Sequence, residues 1–135
     1  IEFEKDELIV ICGADHPFRN KKTVEPLELE KEAFILREEG SGTRKTFESE
    51  MLQNKLSWKT IFTCSDAETI KNSVEKGIGI SVISKLAVKN EIREGRLYEV
   101  LLNDMSFLRT FKIIYHKNKY HSDSMKRFIE FVLKN

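Results

Sequence analysis

Cysteine and proline are scarce in this 135-residue chain, with two of each. Cys12 and Cys64 both sit inside apolar, strand-like runs. Two thiols are too few for a disulfide scaffold or, alone, for a zinc site, and they suit buried cysteines in a reducing cytoplasm. With so little proline, only six glycines and no repeat or low-complexity tract, no linker divides the chain. Charge of one sign is missing too: 23 basic against 22 acidic residues leave a net charge of +1, so no global field draws in DNA or an anionic membrane. No apolar run approaches the ~18 residues of a membrane span, and no signal peptide is visible ahead of the charged segment that follows Ile1. Motifs of catalysis are missing as well. There is no G-x-x-x-x-G-K-S/T, no third glycine to make Gly40-Ser41-Gly42 a dinucleotide fingerprint, no G-x-S-x-G around Ser41 and no H-E-x-x-H. His116 and His121, five apart across Tyr120, do not make a metal site, and His16 reads as a turn residue. We therefore expect no catalytic residue, no metal and no cofactor.

What is present is enough for a packed domain or a large part of one: 40% hydrophobic and 33% charged residues. Glu7–Cys12 is apolar on both faces and reads as a strand inside a sheet, ended by Asp15-His16-Pro17. A helical turn is expected at Pro26–Leu29 and a strand at Ala33–Leu36. A helix from about Thr43 to Leu56 would bury Phe47, Met51 and Leu52, with Trp58 over its end. Strand Thr60–Cys64 leads into Ser65-Asp-Ala-Glu68, which has the spacing of a capping box, so Ser65 is expected to cap a helix that buries Ala67, Ile70 and Val74 and stops at Gly77. Strand Gly79–Ile83, helix Ser84–Ile92, a short strand Leu97–Leu101 and a longer one at Leu108–His116 follow. The last helix has the clearest period, with Met125, Phe128, Ile129, Val132 and Leu133 on one side and Ser122 as its cap. Strands alternating with helices predict an α/β domain with a mixed, mostly parallel sheet flanked by helices.

The stretch Phe34–Lys45 organises this pattern: a buried strand, a glycine-punctuated turn and the first turn of a helix. Gly40 and Gly42 relax the backbone, and Ser41 and Thr43 are cap candidates. A helix start offers free N–H groups and partial positive charge, which suits a carboxylate, sulfate or phosphate. The plain alternative is a capped helix behind a polar loop. Arg44 and Lys45 oppose the helix dipole there, a weak hint of an anion nearby, unless both point to solvent. In a parallel sheet ligands gather at the carboxyl ends of strands, where the Ser41–Thr43 turn and the Ser65 turn could face one crevice.

Five segments, taken in order, carry a resemblance. They are Leu8-Ile-Val-Ile-Cys-Gly-Ala-Asp-His-Pro-Phe18, Val24–Leu29 with Ala33–Leu36, Glu39-Gly-Ser-Gly-Thr-Arg44, Val74–Ile80 with Val82-Ile-Ser84, and Leu108-Arg109 with the helix Ser122–Leu133. Together they resemble the C-terminal part of the effector-binding domain of LysR-type transcriptional regulators. Ser84 stands where that family usually has proline, a departure that concerns a turn.

The resemblance implies two subdomains flanking a cleft, on the plan of type II periplasmic binding proteins. Residues 1–119 would be the second subdomain with its hinge strands, and 120–135 the C-terminal helix that docks on the first. The helix-turn-helix that binds DNA and most of the first subdomain would then lie outside this chain, making it a fragment. The resemblance places a small, anionic effector against Ser41, Gly42 and Thr43 and the opposing loop near Ser65, with Arg37 and Glu38 reaching the same crevice. Helix Asp66–Lys76 would pack on a second protomer, leaving a sticky outer face without it, and the isolated chain would bind effector weakly or not at all. The implied function is effector sensing by a cytoplasmic, non-enzymatic regulator. A transport binding protein, a dehydratase-like enzyme on the same plan and a free-standing dimerisation module are the alternatives.

Overall fold

In the computed structural model, which describes residues 1–134, a six-stranded sheet is covered on both faces. Asn135, the last residue of the expected segment 120–135, lies outside the described residues. The strands are β1 (Glu2–Cys12), β2 (Ala33–Leu36), β3 (Lys59–Thr63), β4 (Ile80–Ser84), β5 (Tyr98–Val100) and β6 (Phe107–Lys112). The helices are α1 (Gly42–Gln53), α2 (Ala67–Glu75), α3 (Lys89–Arg93) and α4 (Asp123–Lys134). Short 3-10 turns occupy Pro17–Asn20, Pro26–Lys31 and Lys85–Val88.

The sheet is mixed. β3, β2 and β4 run parallel, while β1 is antiparallel to β4, β5 and β6. Side chains alternate across it as a two-residue period demands. Leu8, Val10 and Cys12 of β1, Phe34 and Leu36 of β2, and Ile80 and Val82 of β4 pack with Phe47 and Met51 of α1. Ile9, Ile11, Ile35 and Ile83 pack on the other side with Ile70 and Val74 of α2. This explains why these strands are apolar on both faces: each serves two cores. Gly79 lets β2 and β4 approach, since a Cβ there would stand 2.5 Å from the Ala33 carbonyl oxygen.

Several boundaries move. β1 begins at Glu2, because its charged half pairs with β6 from Leu8 back to Glu2. β6 ends at Lys112, so Ile113–His116 is not strand. Only a 3-10 turn and the five-residue α3 fill the segment expected as helix Ser84–Ile92. Leu52 is 65% exposed: Phe47 and Met51, four apart, are the buried residues of α1, and Leu52 lies about 100° further round. Asp66, not Ser65, caps α2: its carboxylate accepts from the Thr69 N–H at 3.1 Å and the Thr69 hydroxyl at 2.6 Å. A carboxylate holds two donors and suits the positive helix end better than a hydroxyl.

Candidate functional site

β2 and β3 are adjacent, parallel and in register at Leu36 and Thr63. α1 begins six residues after the end of β2, and α2 four residues after the end of β3. Both helix starts therefore lie at the carboxyl end of the same strand pair. The Cys64 N–H donates to the Leu36 carbonyl at 3.0 Å, carrying the pairing one step further.

The turn before α1 is closed by its own backbone. The Ser41 N–H donates to the Glu38 carbonyl at 3.2 Å, and Gly40 has φ +91°, a left-handed value that glycine adopts without strain. Ser41 is buried and caps the helix, its Oγ accepting from the Arg44 N–H at 3.4 Å. Gly42 differs from Gly79: its φ is ordinary, and a Cβ there would meet nothing within 4 Å. The chain's own packing does not require glycine at that position.

The charged residues expected near the crevice are mostly engaged with one another. The Arg37 guanidinium donates twice to Glu38, at 2.9 and 3.0 Å. That pairing holds the Glu38 carboxyl below its ordinary range and pushes the Arg37 pKa up. Arg44 is bound to Glu48 one turn along and to the Arg37 carbonyl at 3.1 Å. Its place at the helix start is thus explained within the chain, and the hint of an anion drawn from it falls away. Ser65 is exposed and makes no hydrogen bond among the described residues, so the structure does not join it to the Ser41–Thr43 turn.

Thr43 reaches in another direction. Its hydroxyl accepts from Arg109 Nη1 of β6 at 3.0 Å. Arg109 is gripped by Asp6 of β1, the residue directly opposite it in the β1–β6 ladder, with Nε and Nη2 at 2.8 and 2.7 Å from Oδ2. Asp6 is 4% exposed, and its second oxygen accepts from the Ser84 hydroxyl at 2.8 Å. Phe111 lies under the guanidinium, 4.8 Å from ring centre to Cζ. Lys5, Asp6, Arg109, Thr110 and Lys112 line an open cleft of about 440 Å³.

Asp6 and Arg109 lie 103 residues apart, and nothing in the local sequence announces their pairing. Ser84 at a usual proline position was the one available signal, because proline carries no hydroxyl. The departure thus reaches beyond a turn.

The family model for the LysR substrate binding domain matches residues 1–135. The chain belongs to this family. A RuBisCO operon transcriptional regulator from Acidithiobacillus ferrooxidans is 33% identical over 130 residues, covering 96% of this chain and 42% of that protein. HTH-type transcriptional regulator CysL of Bacillus subtilis is 27% identical over 98% of the chain and 44% of its own length. This LysR-family chain therefore spans less than half the length of these relatives. Among solved structures, the Synechocystis PCC6803 CcmR regulatory domain in complex with 2-PG matches at TM-score 0.90 and 26% identity, over 99% of the chain and 64% of that domain. The effector binding domain of QuiR in complex with shikimate, at TM-score 0.82 and 20% identity, covers 99% of the chain and 63% of its own, and shows the shared fold. The type II binding-protein plan is the fold of this chain. Among the described residues no helix is long and apolar enough to cross a membrane, and no group of three metal-ligating side chains occurs.

Proposed function

We propose that this chain is the effector-sensing half-domain of a cytoplasmic LysR-type transcriptional regulator, and that it holds a small anion at the start of α1. Gly42 is the observation that carries the reading. It is exposed, ordinary in backbone and free of any neighbour that a Cβ would strike. Bare backbone at a helix start is what an anion uses. The 26% identical neighbour was solved with 2-PG bound, and the relatives carry the names of transcriptional regulators rather than enzymes.

Ser41, Gly42 and Thr43 make the contact, with the Arg37–Glu38 pair at the rim and Ser65 on the far side of the opening. A first subdomain supplies the facing wall, and closure on the anion shifts the population of states. α4 docks on that subdomain. Its apolar side chains support this: Phe128 and Phe131 are 63% and 68% exposed here. DNA is bound by a helix-turn-helix segment elsewhere in the regulator. Self-association runs through the helix at 66–76. Its outer residues Glu68, Thr69, Asn72 and Lys76 are exposed and polar, so this face is not the sticky surface expected; Ile61 and Phe62 on edge strand β3 supply the apolar part.

The test is calorimetric titration of the full-length regulator with inorganic sulfate, inorganic phosphate and 2-PG. One of them should bind saturably, and Gly42→Val should abolish that binding while leaving the melting temperature within about 3 °C. Normal binding by Gly42→Val would place the site elsewhere.

A further inference from the structure

We infer that Arg109 is a positioning residue of the effector site: it turns the Thr43 hydroxyl into a dedicated donor toward the bound anion and ties the α1 start to the paired strands β1 and β6. This rests on the reading of the α1 start as the anion site and adds the residue that tunes it.

Asp6 is buried, and both of its carboxylate oxygens are engaged, one by Ser84 and the other by Arg109 Nε and Nη2. With Phe111 against its face, the guanidinium is fixed in plane and orientation. Only Nη1 is then turned to α1, and it donates to Thr43 Oγ1. A hydroxyl oxygen has one proton and two lone pairs. With a cation on one lone pair, the proton turns away from Arg109, and no acceptor within the described residues takes it. A polarised hydroxyl is also a stronger donor, because hydrogen bonds in a chain reinforce one another. Thr43 is therefore set to donate, which favours a ligand rich in acceptors: a carboxylate, sulfate or phosphate.

The same contact has a mechanical side. β1 and β6 run together out of the packed core, with Glu2, Phe3, Glu4 and Lys5 exposed on one strand and Phe111 and Lys112 on the other. An anion that shifts Thr43 pulls on a guanidinium locked to both strands. Occupancy of the α1 start is thereby felt where the strands leave this body.

The experiment is a double-mutant cycle in the full-length regulator. It uses whichever of sulfate, phosphate and 2-PG binds the unaltered protein most tightly. Thr43→Val and Arg109→Gln should each weaken binding about tenfold or more. The double variant should be no weaker than the poorer single one to within about threefold, because both act through one hydroxyl. Thr43→Ser should bind nearly as the unaltered protein. Arg109→Lys, which retains charge but only a single-point donor, should fall between, and it replaces Arg109→Gln should the latter fail to fold. Unaltered binding by the Arg109 variants alongside loss in Thr43→Val would overturn the inference and leave the anion site standing. Losses that multiply in the double variant would also overturn it. Binding of none of the three probes to the unaltered protein, or full binding by Thr43→Val, would remove the anion site and this inference with it.

Discussion

α2 and α4 are both amphipathic helices with a clear apolar stripe, yet they end in opposite situations. In α2, Ile70 is 2% exposed and Val74 is fully buried against the sheet. In α4 no residue is buried, and Phe128, Phe131 and Leu133 are 63%, 68% and 45% exposed. A helical period says that a face will be covered. It does not say which body covers it. The strands divide in the same way. Residues 8–12 of β1 lie between two cores, while residues 2–5 of the same strand are exposed. The chain thus consists of a closed body and an extension whose apolar surface is open. The candidate site lies where the two meet, with Thr43 on the closed body and Arg109 at the root of the extension.

The strongest way to break this comparison is to truncate one residue from each region. Phe47 is fully buried and stacks near Phe34, Trp58 and Phe107, with ring centres 4.9, 5.7 and 5.6 Å away. Phe47→Ala should cost about 3–5 kcal/mol. Phe128→Ala should change the stability of the 135-residue chain by less than about 0.5 kcal/mol. Urea denaturation of both variants checks the pair, and equal losses would mean that α4 is packed in solution.

A smaller effect sharpens the account of the closed body. Lys71 is 6% exposed, and its ammonium lies 2.6 Å from Glu91 and 2.6 Å from Glu68, with the Ala87 carbonyl at 3.1 Å. Burial pulls the Lys71 pKa down, but the carboxylates more than offset it, and the net shift is upward. Glu91 is held below its ordinary range, first by the hydrogen bond from Lys71. A carboxylate with a lowered folded pKa stabilises above its unfolded value and loses that contribution as the pH falls through the folded one. Glu91→Gln should therefore cost about 2 kcal/mol at neutral pH. The gap should narrow as the pH falls below the ordinary glutamate value of about 4.3, where the unfolded chain takes up its proton before the native carboxyl does. Melting curves from pH 3 to 7 test this.

Much of the fold was legible because its signals are local. Ala33–Leu36 appears with the expected bounds, α1 and α2 start within a residue of expectation, and Gly77 ends α2 with φ +77°. The type II binding-protein plan followed from the ordered motifs. Within the site, Ser41 was legible as a cap because capping is a contact over three residues. What escaped was long-range. The hydrogen bond from Arg109 to Thr43 spans 66 residues and the one to Asp6 spans 103. Both depend on the register of β1 against β6, which no spacing in the sequence encodes. The choice of Asp66 over Ser65 escaped for another reason: both residues are good caps one position apart, and the carboxylate prevails by holding both the N–H and the hydroxyl of Thr69.

The most direct measurement is a ¹⁵N-edited NMR titration of the isotopically labelled regulator with 2-PG, with inorganic sulfate as a second ligand. The account predicts that the backbone amides of Gly42, Thr43 and Arg44 shift first and furthest, with smaller shifts at Arg109. Shifts confined to β5, to α3 or to the exposed face of α4, with the α1 start unmoved, would contradict it.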